Sequence, residues 1–195
     1  MAGFDTDTFL VREHVGFLKL SEAYDLLAPD GTPIGTAVER ASFGRQVLKL
    51  LVSKKMLPFT VEIMEADQKP LIYIRRGFTL FRSKVVVTDT TGASYGYFKQ
   101  RLLSLGGAFD VFDPSDKQIA QLNGDWKGWN FKFTDMAKQE IGTVSKQWAG
   151  LGKELFTSAD NYVVHIERSK ISDVRHVQLL LAAALCIDMV LKETD

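Results

Sequence analysis

One pattern of apolar and polar positions recurs five times along the chain. Each copy has alternating apolar residues, then a marker residue, then a short turn-like stretch, and in most copies it ends on an apolar residue followed by Gly or Ala. The marker is Asp89, Asp113 or Asp135 in the last three copies, and the last three steps between markers are 24, 24 and 22 residues. The copies occupy residues 24–35, 61–72, 85–96, 109–120 and 131–142, with Ala28 and Glu65 as the first two markers.

Each copy predicts a β-hairpin, because period-2 alternation buries one face of a strand and Asp, Gly and Pro favour the turn. The small residue near the end of a copy indicates a bend or a close approach of two backbones. Five hairpins give ten strands, and "NYVVHIER" (161–168) predicts another. A propeller is the alternative, but its blades need about four strands per 40–45 residues. A repeat of two-stranded hairpins therefore favours a closed antiparallel sheet.

The most apolar stretch lies near the C-terminus. In "VQLLLAAALCIDMVL", residues 177–191, 13 of the 15 side chains are apolar, and only Gln178 and Asp188 are not. As a helix it would span about 22 Å, whereas a bilayer core is roughly 30 Å thick. A helix that is apolar on all sides is otherwise buried on all sides. The fold class predicted is mainly β: a closed antiparallel barrel of about 12 strands around a buried C-terminal helix.

The chain is expected to form a single domain over residues 1–195, with residues 1–19 as an N-terminal lead-in and 173–192 as the central helix. A second helix is predicted at "RASFGRQVLKLLVSKK" (40–55), where Phe43, Val47, Leu50 and Leu51 recur at helical spacing and Ser42 can cap the start. This helix is expected to pack on the outside of the sheet.

Composition and charge narrow the functional classes. The net charge is zero, so no nucleic-acid partner is expected. The only cysteine is Cys186, and the first residues lack the pattern of a signal peptide, so a cytoplasmic location is predicted. His14, His165 and His176 have no metal-ligand spacing, and the chain has no nucleophile motif or phosphate loop. We therefore expect no enzyme, no cofactor and no metal.

The aromatic stretch "GDWKGWNFKF" (124–133) has two interpretations. Trp126, Trp129, Phe131 and Phe133 alternate imperfectly. They are either part of the barrel wall and core, which the alternation favours, or a platform on which a planar ligand stacks.

Local charge departs from the neutral average. Between residues 75 and 101 six basic residues accompany one acid, Asp89, for a local charge of +5. A second stretch, residues 40–55, has five basic residues and no acid. Basic side chains on adjacent hairpins would attract anionic phospholipid headgroups if they shared a face; otherwise they are an ordinary solvated surface. The candidate lipid-binding residues are Arg75, Arg76, Arg82, Lys84, Lys99 and Arg101.

The C-terminal third resembles a known family. "VSKQWAGLGKELFTSADNYVVHIE" (144–167), followed by "LCIDMVLKE" (185–193), resembles the phospholipid scramblases. The hairpins extend the likeness over most of residues 20–193, and the same architecture occurs in LURP-one-related proteins and tubby C-terminal domains. The resemblance implies a 12-stranded barrel around a C-terminal helix.

Two family features are altered in this sequence. Scramblases carry a palmitoylated cysteine cluster, whereas Cys186 is alone here. The segment matching their proposed calcium site is "SADNYVVHIERS" (158–169), in which Asp160 is the one well-placed carboxylate. Calcium takes six to eight oxygen ligands, so no calcium site is predicted.

Two functional hypotheses remain. The first is a non-enzymatic domain that binds anionic phospholipid as a peripheral protein at the inner membrane surface, with or without a link to phospholipid scrambling. The second is a soluble intracellular domain that binds a small ligand or another protein and has no lipid role. The sequence does not predict an oligomeric state.

Overall fold

The computed structural model describes residues 4–14, 23–40, 57–79, 82–101, 107–125, 128–146 and 161–191. Within these residues, twelve antiparallel strands form a closed barrel in which each strand pairs with its neighbours in sequence. Strand β1 closes the sheet against β12, with Thr8 opposite His165 and Val11 opposite Tyr162. The strands are β1 Thr8–Glu13, β2 Ala23–Leu27, β3 Pro33–Glu39, β4 Phe59–Glu65, β5 Pro70–Arg76, β6 Lys84–Asp89, β7 Ser94–Gln100, β8 Ala108–Phe112, β9 Gln118–Asp125, β10 Asn130–Thr134, β11 Glu140–Ser145 and β12 Tyr162–Ile166.

The C-terminal helix α1, Val174–Leu191, runs through the barrel and packs most closely against β7, β12 and β8. Its residues from Leu179 to Ile187 are buried, and Ala182, Ala183 and Ala184 are fully enclosed. Small side chains let the helix approach the barrel wall, and large aromatic residues fill the remaining interior. The barrel around a buried helix confirms the predicted fold class. No helix among the described residues has both the length and the apolar character needed to cross a membrane.

The five repeated hairpins have the same turn. In β6–β7 the Asp89 N–H donates to the Ala93 carbonyl (2.9 Å), and the Gly92 N–H donates to the Asp89 carbonyl (3.2 Å). The equivalent bonds recur in the other four hairpins. The residue three positions after each marker has a positive φ, as a type I turn followed by a left-handed bulge residue requires. These residues are Gly31, Gln68, Gly92, Asp116 and Lys138.

The marker carboxylate organises the turn that follows it. Asp113 Oδ1 accepts hydrogen bonds from the Ser115 N–H (2.9 Å), the Ser115 hydroxyl (2.7 Å) and the Lys117 N–H (3.0 Å). In the two hairpins whose marker is not aspartate, an aspartate two positions after the marker accepts the hydrogen bond from the turn. Asp30 there accepts the Thr32 N–H (2.9 Å), and Asp67 accepts the Lys69 N–H (3.2 Å). The turn thus keeps its geometry in the two copies whose marker residue is not aspartate.

The small residue near the end of the third copy marks a close approach of backbones, as predicted. Gly96 has a φ of 133°, and a Cβ placed there would collide with the Phe112 carbonyl and with the Leu179 side chain of α1. Only glycine fits this conformation and this gap.

The lead-in predicted over residues 1–19 contains strand β1, which the sequence pattern did not reveal. Phe9 and Val11 face the core, but the outward residue between them, Leu10, is apolar as well. Leu10 forms a second buried cluster with Leu27 and Val163 on the outer side of the sheet. Three consecutive apolar residues hide the period-2 alternation. The helix predicted over residues 40–55 lies outside the described residues, apart from Arg40.

The two ends of the barrel differ. One, which we call the turn end, carries the five tight hairpin turns and the start of α1. The opposite end, the loop end, carries the connections from one hairpin to the next, such as the connection from β5 to β6.

Candidate functional site

Five of the six candidate basic residues lie on one outer surface of the barrel. Val85 and Phe98 point into the core, so Lys84 and Lys99 on the same strands point outward. Arg75 on β5 also points outward. Arg82 precedes β6 and Arg101 follows β7. We call these five residues, Arg75, Arg82, Lys84, Lys99 and Arg101, the basic face.

Arg76 is a correction to the predicted set. It is 2% exposed and points into the barrel, because adjacent strand residues face opposite sides of a sheet. Its Nε and Nη2 donate to the Leu57 carbonyl oxygen at 3.2 and 2.7 Å, and its guanidinium lies 4.6 Å from the Phe59 ring centroid. Arg76 therefore anchors the chain before β4 and is not available to a ligand on the outer surface.

Lys84 and Lys99 form the centre of the basic face. They are direct cross-strand partners, an arrangement of like charges that destabilises a sheet. Their ammonium groups lie 3.9 and 5.0 Å from the centroid of the Tyr97 ring, which stabilises both cations. Within the described residues neither lysine forms an ion pair with a carboxylate. Their positive charge is therefore not neutralised by this part of the chain.

Tyr97 is held rigidly between these lysines. Its ring stacks on Phe112 with centroids 4.9 Å apart, and its hydroxyl donates to Asp116 Oδ1 at 2.8 Å. Burial of the hydroxyl, followed by this bond to Asp116, raises the pKa of Tyr97. The tyrosine remains neutral and serves as an aromatic support for the two cations.

The edge of the basic face is partly neutralised by a single carboxylate, Asp110. Arg82 Nη2 lies 3.5 Å from Asp110, and Arg101 Nε lies 3.8 Å from it. Arg82 also donates to the Gln100 carbonyl at 2.6 Å, which fixes its position. Two guanidinium groups thus share one acid.

The remaining cation, Arg75, bonds to a neutral neighbour. It donates to the Thr88 hydroxyl at 3.2 Å and lies 4.6 Å from the Tyr73 ring centroid. Asp89, the one acid in this stretch of sequence, is at the turn end, where Thr91 and Ala93 occupy its carboxylate. It does not neutralise the basic face.

The described part of the aromatic stretch, residues 124, 125 and 128–133, belongs to the barrel rather than to a ligand platform. Phe131 and Phe133 are fully buried. Trp129 packs partly buried against the core, with its ring centroid 5.2 Å from that of Tyr162. Trp126 lies outside the described residues.

The segment that corresponds to the family's calcium site is largely part of the barrel wall. Tyr162–Ile166 forms β12 and pairs with β1 and β11, so its backbone carbonyls take part in the sheet ladder. Asp160 lies outside the described residues. Among the described residues no three His, Cys, Asp or Glu side chains are grouped as metal ligands.

A small pocket opens between the barrel wall and α1 at the turn end. It has a volume of about 110 Å³, an apolar floor that includes Ile119, Ile141 and Leu180, and Asp135 and His176 among its polar residues. Pockets that hold a cofactor or drug-sized ligand usually measure about 300–1,000 Å³. This pocket therefore gives little support to a small-ligand function.

Sequence reasoning missed the aromatic support and the edge carboxylate of the basic face. Tyr97, Phe112 and Asp110 come from outward positions on β7 and β8. An aromatic residue two positions before Lys99 was a usable signal, since residues i and i+2 of a strand share a face. Asp110 lies beyond the basic stretch in sequence, and only the strand register brings it to Arg82 and Arg101.

Comparison with known proteins identifies relatives that match most of this chain. A family model described as Scramblase matches residues 14–193. Human phospholipid scramblase 2 is 23% identical over 145 residues, which cover 67% of this chain and 48% of that protein. Altered inheritance rate of mitochondria protein 25 from Saccharomyces cerevisiae is 19% identical over an aligned length of 212 residues. The alignment covers 93% of this chain and 65% of that protein. The match thus spans about half to two thirds of the length of these relatives.

An X-ray structure of a protein from Arabidopsis thaliana resembles the fold with a TM-score of 0.52. The match covers 93% of this chain and 91% of that chain at 11% identity. At this identity the likeness concerns the fold alone.

Proposed function

Because the chain belongs to the scramblase family, we propose that it is a non-enzymatic domain that binds anionic phospholipid at a membrane surface through the basic face. Family membership gives the coarse role, which is one connected with phospholipids. The basic face supplies the chemistry, because cationic side chains near an anionic bilayer each contribute about 1 kcal/mol of attraction. We place the protein at the cytoplasmic surface, where anionic lipids are concentrated.

The observation that carries this proposal is the pair Lys84 and Lys99. Two like charges opposite each other weaken a sheet, so a neutralised pair would be the more stable arrangement. Tyr97 supports both ammonium groups without cancelling their charge. A phosphate group placed between the lysines would relieve their repulsion and accept hydrogen bonds from both.

The printed name of the human relative connects that protein with phospholipid scrambling. For this chain we propose the binding step, in which the barrel lies on the bilayer without spanning it. A link between this binding and lipid scrambling would be a further property of the bound state, to be tested after binding is established.

Vesicle flotation tests the proposal. The wild-type protein is expected to float with phosphatidylcholine vesicles that contain phosphatidylserine and to remain behind with phosphatidylcholine alone. Binding should weaken from low to physiological salt, because the attraction is screened over about 8–10 Å. Absence of binding at low salt would overturn the proposal.

A charge-reversed variant and a matched control locate the binding surface. Lys84→Glu combined with Lys99→Glu should abolish flotation. Lys69→Glu combined with Lys117→Glu changes the net charge equally, but both of these lysines belong to tight hairpin turns at the turn end. The control should bind nearly as well as the wild type. Equal losses in the two variants would mean that net charge, and not the basic face, governs binding.

A further inference from the structure

The connection between β5 and β6 exposes an aromatic side chain beside the basic face. Phe78 is 56% exposed, and the other exposed large apolar side chains among the described residues are Met136 (51%) and Val174 (50%). Met136 is in a hairpin turn, and Val174 is at the start of α1, so both lie at the turn end. Phe78 is the one of the three that lies at the loop end.

The chain around Phe78 projects from a firmly held base. Arg76, directly before this connection, is buried and bonded to the Leu57 carbonyl. Gly77 has open space where a side chain would be. Thr79 turns its hydroxyl back to the Gly77 carbonyl at 3.3 Å. The connection is therefore fixed where it leaves β5, and the Phe78 side chain is exposed just beyond that point.

Cations flank this connection on both sides. It follows Arg75 and Arg76 in the sequence and precedes Arg82 and Lys84. Of these, Arg75, Arg82 and Lys84 belong to the basic face. The sequence of the connection continues with Leu80 and Phe81, which lie outside the described residues. A single exposed apolar residue is ordinary on a protein surface. An exposed phenylalanine in a connection with basic residues at both ends matches the two parts of an anionic bilayer, its charged headgroups and its apolar interior.

We propose that Phe78 inserts into the boundary between headgroups and acyl chains of an anionic bilayer. This inference rests on the proposed function and adds its geometry. The basic face draws the protein to the headgroups, and the Phe78 ring enters the apolar boundary that lies just beneath them. The loop end beside β5 and β6 then faces the membrane, and the turn end faces away.

Substitution of the exposed residues tests this orientation. Phe78→Ala should weaken binding to phosphatidylserine-containing vesicles roughly tenfold, because part of a phenylalanine side chain is no longer removed from water. The salt dependence should stay as in the wild type, since no charge has changed. Met136→Ala, the matched control at the turn end, should leave binding unchanged.

Fluorescence gives an independent measurement. Phe78→Trp should gain emission that is quenched by lipids brominated on their acyl chains, beyond the quenching of the wild type, and Met136→Trp should gain none. If the wild type binds but Phe78→Ala binds equally well and Phe78→Trp is not quenched, the proposed insertion of Phe78 is wrong. The basic face would then bind the membrane without it. If the wild type does not bind at all, the proposed function itself fails.

Discussion

The turn end and the basic face use charged residues in opposite ways. At the turn end, Asp89 and Asp113 direct their carboxylates at hydrogen-bond donors of their own turns, so these charges serve the fold. On the basic face, Lys84 and Lys99 are paired with each other across the ladder and supported by an aromatic ring. Side chains of equal charge can therefore differ in how available they are to a binding partner. A carboxylate that already accepts hydrogen bonds within its turn has little capacity left for a partner. Two ammonium groups that form no ion pair can still bind an anion.

The largest effect is expected from the buried helix α1, which begins at the turn end and packs against β7 and β8 inside the barrel. Leu181→Asp would place an unpaired carboxylate in the core, where Leu181 is 1% exposed, and should prevent cooperative folding. Val174→Asp, at the exposed first residue of the same helix, should leave the fold intact. Circular dichroism and thermal unfolding compare the two variants. A folded Leu181→Asp protein would contradict the buried position of α1.

Adjacent arginines sharpen the contrast between structural and available charge. Arg76→Glu should destabilise the protein by about 3 kcal/mol or more. The buried guanidinium donates to the Leu57 carbonyl, whereas a carboxylate has no hydrogen to donate and would be a buried charge without a partner. Arg75→Glu should change the free energy of unfolding by less than about 0.5 kcal/mol and still reduce vesicle binding. Urea denaturation and flotation measure the two effects. Equal destabilisation by both substitutions would contradict their assignment to opposite faces of β5.

A smaller effect is expected at the turns. Asp113→Ala removes the acceptor for Ser115 and Lys117 and should lower the urea midpoint by less than Arg76→Glu does. Vesicle binding should not change, because this carboxylate serves only its turn. A loss of binding that exceeded the loss of folded protein would show that the turn end takes part in recognition.

The smallest effect concerns acid. Arg175, by its side-chain hydrogen bond to Asp173, lowers the pKa of Asp173 to about 2, and Ser115 and Thr91 lower those of Asp113 and Asp89. A carboxyl whose pKa is depressed by folding stabilises the native state above its unfolded pKa, which is about 3.9. That contribution disappears as the pH falls through the folded pKa.

Stability should therefore decline between about pH 4 and pH 2, and the decline should be shallower in Asp173→Asn. Urea midpoints measured across this range for the wild type and the variant check the expectation. An identical decline in both proteins would mean that Asp173 is not among the groups responsible.

The fold could be predicted from sequence because its signals repeat. The same turn occurs five times, and three of its copies keep the aspartate that organises it. The apolar run of α1 is too short for a bilayer and too apolar for a surface. Strand β1 was not predicted, because its outward residue Leu10 is apolar and packs against Leu27 and Val163 on the outer side of the sheet. The strand therefore lacks the alternation of apolar and polar residues.

The candidate site was less accessible to sequence reasoning, because it depends on register. Two neighbouring arginines cannot both face outward from a regular strand, but only the register decides that Arg75 does and Arg76 does not. The pairing of Lys84 with Lys99 and the approach of Asp110 to Arg82 are also matters of register. Local charge found the region, and the pairing of strands decided which of its residues are available.

The β6–β7 hairpin offers the most direct test, since it contains both regions. Lys84 and Lys99 lie at one end of the hairpin, and Thr91 and Gly92 lie about 20 Å away in the turn. Nuclear magnetic resonance with nanodiscs of anionic lipid that carry a spin label at the headgroup measures which amides approach the membrane. We expect strong broadening of the Lys84 and Lys99 amides and little at Thr91 and Gly92. Broadening that is equal along the hairpin, or stronger at the turn, would contradict this expectation.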